Sequence, residues 1–90
     1  MKTIRLRSIH DQRHRQMVQL LTKARLDAGI SQSELASAIG LKQPDISKIE
    51  TNERRVDIIE FLDILGYIAK QTNDLGLLMA SIEKILETEK

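Results

Sequence analysis

The sequence has no cysteine and no tryptophan, and its 90 residues include one proline, one tyrosine and one phenylalanine. Without cysteine there is neither a disulfide framework nor a thiolate zinc site, and His10 and His14 alone cannot cage a structural metal. A reducing cytoplasm suits such a chain. No apolar run approaches the roughly 20 residues of a membrane helix, and the opening MKTIRLRSIH lacks the apolar stretch of a signal peptide. There is no glycine-rich phosphate loop and no acid cluster at metal-ligand spacing, so a small enzyme would lack machinery. No metal, cofactor, membrane or small-molecule ligand is expected.

What is present is charge, unevenly placed. Residues 1–55 carry eleven Lys/Arg against six Asp/Glu, a balance of +5, whereas residues 56–90 carry three against seven, a balance of −4. A basic half of this kind is the electrostatic footprint of phosphate binding, and the acidic half can face away from a polyanion.

The chain is organised around residues 31–50, SQSELASAIGLKQPDISKIE. Ser31 can N-cap a helix and Glu34 can reach back to its amide, forming a capping box before an apolar run. Leu35, Ala36 and Ile39 share one helical face, and Gly40 follows as the residue best able to take the left-handed turn that stops a helix. Leu41 is apolar in the turn, Pro44 can open a second helix without losing a needed N–H, and Ile46 and Ile49 supply its buried stripe. Where two helices cross steeply the contact residue must be small, and Ala36 meets that need.

This spacing of small residue, glycine and two β-branched residues, at Ala36, Gly40, Ile46 and Ile49, resembles the helix-turn-helix of phage repressors and Cro in the Xre family. The stretch Ser47-Lys-Ile-Glu followed by Glu53-Arg-Arg-Val-Asp-Ile-Ile-Glu60 looks like a branch of short bacterial regulators of that kind. The resemblance covers residues 11–66 well and the ends less so. It implies an all-α, five-helix repressor/Cro-like domain with a C-terminal amphipathic helix, in which the second helix of the motif enters the major groove.

Along the chain, residues 1–10 form a basic arm with Ile4, Leu6 and Ile9 between Lys2, Arg5 and Arg7. A frayed segment, a strand pairing across a dimer and an arm reaching along DNA all fit it, the first two ahead of the third. His10 and His14 are read as titrating in solvent. The DNA-binding domain spans 11–69. Asp11 can cap a helix from about Gln12 to Ala28, ended by Gly29, with Met17, Leu20, Leu21, Ala24 and Ala28 on one face. After the motif comes a polar loop, Thr51 to Val56, where the family usually has glycine at the Asn52 position and asparagine is the next residue to tolerate a left-handed backbone. Asp57 and Glu60 form a second capping box, and Ile58, Ile59, Phe61, Leu62 and Leu65 make the apolar side of a helix up to Gly66, with Tyr67, Ile68 and Ala69 continuing apolar and Gln71 to Asp74 breaking the pattern. Residues 70–90 hold a last helix from about Asp74 to Glu87, striped by Leu75, Leu78, Met79, Ile82, Ile85 and Leu86. This stripe must pack on the same globule, on a partner molecule or on both; family members commonly dimerise through this region, so these six are assigned to dimerisation ahead of a purely intramolecular helix.

The resemblance also implies roles. Arg25 and Glu50 would form an ion pair tying the first helix to the end of the recognition helix. Gln32, at the start of the motif's first helix, would meet a phosphate, where helix N–H groups favour an anion, and Ser33 lies beside it. Lys42, Gln43 and Pro44 lead the recognition helix, with Ser47 and Lys48 one turn on and Thr51 and Asn52 at its end. Gln43 is the best candidate for base readout, because its amide can give and take a bond with adenine N6 and N7. Lys42 and Lys48 could bond guanine or neutralise phosphate, Pro44 offers apolar surface to a thymine methyl, and Asp45 is read as a helix cap. Arg54 and Arg55 fall where family members touch the DNA backbone. The expected function is a homodimeric regulator of transcription, a repressor reading an inverted-repeat operator. The alternative is an antitoxin or restriction-control protein that regulates its own operon and holds a protein partner.

Overall fold

In a computed structural model, residues 11–73 and 75–87 are described, with the side chains of Leu75, Leu77 and Leu78 outside that description. The N-terminal arm, the expected helix start at Asp74 and the stripe positions Leu75 and Leu78 therefore lie outside the described side chains. Among the described residues five helices follow one another: α1 (Gln12–Asp27), α2 (Gln32–Ile39), α3 (Gln43–Glu50), α4 (Ile58–Thr72) and α5 (Leu75–Leu86). Among the described residues there is no strand.

Local chemistry sets most of the helix ends. Asp11 accepts from the Arg13 amide at 2.8 Å and Ser31 from the Glu34 amide at 2.9 Å, each satisfying an orphan donor of a first turn. Gly40 closes α2 at φ 80°, a left-handed conformation that strains any residue with a Cβ. Asp57 and Glu60 bond reciprocally across the first turn of α4, each carboxylate accepting the other's amide. α2 packs against α3 and α4, while α1 packs against α3, α4 and α5. Their shared core holds Val18, Leu21, Ile30, Leu35, Ala36, Ile46, Ile49, Val56, Ile64, Leu65 and Ile68. Leu35, Ile46 and Ile68 are fully enclosed, and burial of each such side chain is worth about 1.5–3 kcal/mol.

Two expectations are corrected here. Glu34 does not return to the Ser31 amide; its carboxylate accepts from the Tyr67 hydroxyl at 2.6 Å, fastening α2 to α4 instead. Gly66 lies within α4, which runs on through Tyr67, Ile68 and Ala69 to Thr72 and closes at Asn73, φ 56°. Glycine costs a helix only part of a kcal/mol to about 1 kcal/mol, which the packed face of α4 outweighs. Finally, the buried side of α4 is Ile64, Leu65 and Ile68, whereas Ile58, Ile59 and Leu62 are exposed by 66, 62 and 53 %. Four apolar residues within five positions cover more than one face, so they cannot all point inward.

The last helix folds back on its own chain. Ile82 packs against the core while Met79 and Leu86 remain exposed.

Candidate nucleic-acid interface

The recognition surface begins with the periodicity of α3. Ile46 and Ile49 are buried, so the opposite side must carry Gln43, Ser47 and Thr51 at steps of four, with Pro44 and Lys48 on the neighbouring row. Lys42, Gln43, Pro44, Lys48 and Thr51 are exposed, and Ser47 is half-buried. Asp45 accepts from the Lys42 amide at 3.0 Å, so its charge is spent on the first turn of α3.

A chain of polar side chains holds the leading end of α3. The amide of Gln43 donates to Gln32 Oε1 at 2.7 Å, and Gln32 in turn donates to Glu50 Oε1 at 2.8 Å. Arg25 closes the chain: Nε and Nη2 donate to the two carboxylate oxygens of Glu50 at 2.7 and 2.9 Å, and Nη1 donates to the Ile30 carbonyl at 2.7 Å. Arg25 is buried and Glu50 half-buried, and this planar fork against a carboxylate is the geometry arginine provides and lysine cannot. Four residues from three helices are therefore in one hydrogen-bonded line that ends at the exposed amide of Gln43. Ser33 is exposed on the first turn of α2 beside it.

The loop after α3 divides its residues. Asn52 is left-handed at φ 64°, and its side chain turns inward. Its Oδ1 lies 3.2 Å from His14 Nδ1, while the Val56 amide donates to His14 Nε2 at 3.3 Å. Arg54 is likewise engaged within the protein, with Nη1 and Nη2 donating to the two oxygens of Glu60 at 3.0 and 2.8 Å. That bond holds the Glu60 carboxyl below its ordinary 4.5 and raises the guanidinium further. Thr51 bonds the Ser47 carbonyl and the Glu53 carboxylate. Arg55 is exposed, and Lys42, Lys48 and Arg55 form no ion pair among the described residues.

Of the expected DNA-facing residues, the fold thus gathers Gln32, Gln43 and their neighbours on α3 at one surface and turns the Asn52 and Arg54 side chains elsewhere. His14 is the functional candidate that sequence reasoning misplaced. It is 7 % exposed, and burial pushes its imidazole below the ordinary 6.5, with Arg55 opposing and Asn52 and Asp11 favouring the proton. A signal was available: His14, Val18, Leu21 and Arg25 lie at i, i+4, i+7 and i+11, and those four are the buried face of α1. On α5, Ile82 and Ile85 are half-buried and Met79 and Leu86 exposed, which leaves two of the described stripe residues outward.

Among the described residues, no group of three or more metal-ligating side chains is assembled and no helix is long and apolar enough to cross a membrane. A helix-turn-helix family model matches residues 21–75, more than half of the chain and the whole of α2 and α3. No characterised protein matches the chain. The match places the chain in the helix-turn-helix family of Xre/Cro-like DNA-binding regulators.

Proposed function

We propose that this DNA-binding protein is a repressor that reads an inverted-repeat operator as a homodimer, each subunit laying α3 in the major groove. The observation that carries the reading is the line Arg25–Glu50–Gln32–Gln43, which presents an oriented amide at the leading end of α3. An amide fixed in this way is suited to paired bonds with adenine, and its neighbours Lys42 and Lys48 are suited to phosphate or guanine. Gln32 opens α2, where the helix N–H groups favour a phosphate, and exposed Arg55 would hold the backbone beyond the end of α3. Met79 and Leu86 supply outward apolar surface for a second copy. Two half-sites would lie about 34–36 Å apart, one turn of duplex.

The test is selection of bound sequences from random duplex DNA at moderate salt. An inverted repeat is the expected result. Weak, salt-sensitive binding indifferent to sequence would overturn the operator-reading role. The row Ile58, Ile59 and Leu62, all exposed, favours a second reading in which the regulator holds a protein partner, as an antitoxin or restriction-control protein would. A stoichiometric second protein co-purifying with the chain, lost on Ile58→Glu, is its expected sign.

A further inference from the structure

The loop Thr51–Val56 leaves the recognition helix and carries Arg54 and Arg55, and a side chain of α1 reaches it from behind. We propose that His14 is a positioning residue for this loop, that it acts only as the neutral imidazole, and that its protonation loosens the loop and weakens DNA binding. The inference rests on the DNA-binding reading above.

Both ring nitrogens are used, and in opposite senses. The Val56 N–H donates to Nε2, so Nε2 is the bare nitrogen. The single ring proton then sits on Nδ1 and is donated to Asn52 Oδ1. A second proton on Nε2 would set one N–H against another inside the core, where His14 and Val56 are 7 and 6 % exposed and water cannot easily take either place. The Val56 amide must then release, and the loop with it.

Asn52 explains itself on the same terms. Glycine would satisfy φ 64° more easily, yet it would leave Nδ1 of His14 without this acceptor. Asparagine tolerates the left-handed backbone and also brings an oxygen to α1. Among the described residues, the charged groups around the groove beside His14 are Asp11 and Arg13 from the start of α1, Arg55 from the loop and Asp57 from the cap of α4, while α5 contributes Ile82, Ile85 and Leu86. Arg55 opposes a further positive charge more strongly than Asp11 favours it, and burial outweighs both.

The experiment follows affinity for the selected operator from pH 7.5 to pH 5.0, with His14→Gln as comparator. Glutamine can offer an oxygen to the Val56 amide and does not titrate, and His10 is retained in both proteins. Wild-type affinity is expected to fall threefold or more relative to His14→Gln. The fall is bounded at about thirtyfold, because a group titrating below 6.5 can contribute no more at that pH. In amide spectra of the wild-type protein alone, the Asn52 and Val56 resonances should move together with the His14 ring. Superimposable pH profiles for the two proteins, or static Asn52 and Val56 amides while His14 titrates, would overturn the proposal. Absence of duplex binding by either protein at every pH removes the DNA-binding reading and the affinity half with it. The wild-type amide titration then decides alone whether His14 holds the loop.

Discussion

Arg25 and Glu50 meet side by side, two nitrogens of one against two oxygens of the other, with their side chains only 8 and 11 % exposed. The pair joins the end of α1 to the end of α3 across 25 positions of sequence. Removing one member strands the other charge in a site water barely reaches. Arg25→Ala should therefore cost about 3–5 kcal/mol of stability, read from thermal or urea unfolding. A melt indistinguishable from wild type would show that the contact holds nothing together.

Gln43 and Gln32 should separate when mutated. Gln43→Ala is expected to relax a single base position in a selection, with about 1–3 kcal/mol of discrimination lost there. Gln32→Ala frees the Gln43 amide without removing it, so it should weaken the preference at the same position and leave the other positions intact. Unaltered selected motifs for both variants would rule out base reading by Gln43.

Arg54 and Arg55 adjoin in sequence and should differ in their response to salt. Arg55→Ala should flatten the dependence of log affinity on log salt by about 0.9, the signature of one phosphate contact. Arg54→Ala should instead lower the melting temperature, since its guanidinium is bonded to Glu60. Because that bond holds the Glu60 carboxyl below 4.5, its contribution is present above pH 4.5 and disappears as the pH falls through the lowered value. Equal slopes for wild type and Arg55→Ala would refute the phosphate role.

The same linkage gives His14 an effect on folding itself. Its folded-state imidazole titrates below 6.5 through burial, so the unfolded chain takes up the proton first. Stability is therefore full above pH 6.5 and declines as the pH drops from there toward the folded value. The melting temperature of wild type should fall across that window more steeply than that of His14→Gln. Parallel curves would mean that His14 has no lowered titration.

Dimerisation can be tested without disturbing the core. Met79 and Leu86 are 48 and 71 % exposed, so Met79→Glu with Leu86→Glu should leave the helices formed while sedimentation shows a shift from dimer to monomer. A double variant that stays dimeric would move the interface elsewhere, with the exposed row Ile58, Ile59 and Leu62 the next surface to examine.

The parts of the fold that could be read in the sequence are those decided within one or two turns. Ser31, Gly40 and the pair Asp57–Glu60 act on their immediate neighbours, so residue type and spacing were enough to place them. The spacing of His14 with Val18, Leu21 and Arg25 marks the buried face of α1, but its partners Asn52 and Val56 lie 38 and 42 positions away and are not legible in that spacing. Glu34 likewise meets a partner that no local pattern announces, Tyr67, 33 positions on. The exposed row on α4 shows another limit: consecutive apolar residues announce a helix without saying which side of it faces the core. At the candidate surface, residue type alone singles out Gln43, but its bond to Gln32 depends on how α2 and α3 pack.

The line from Arg25 to Gln43 bears on the heat of association. Side chains already bonded to one another give up little rotational freedom when a duplex arrives, so α2 and α3 can dock as a rigid body. The heat-capacity change on binding should then scale with the surface the two molecules cover, without the additional decrement that accompanies a segment folding onto its target. Cutting the line at Gln32 should make binding less favourable in entropy even where the enthalpy improves. A calorimeter would register the purpose of these internal bonds as disorder that the free protein no longer has to lose.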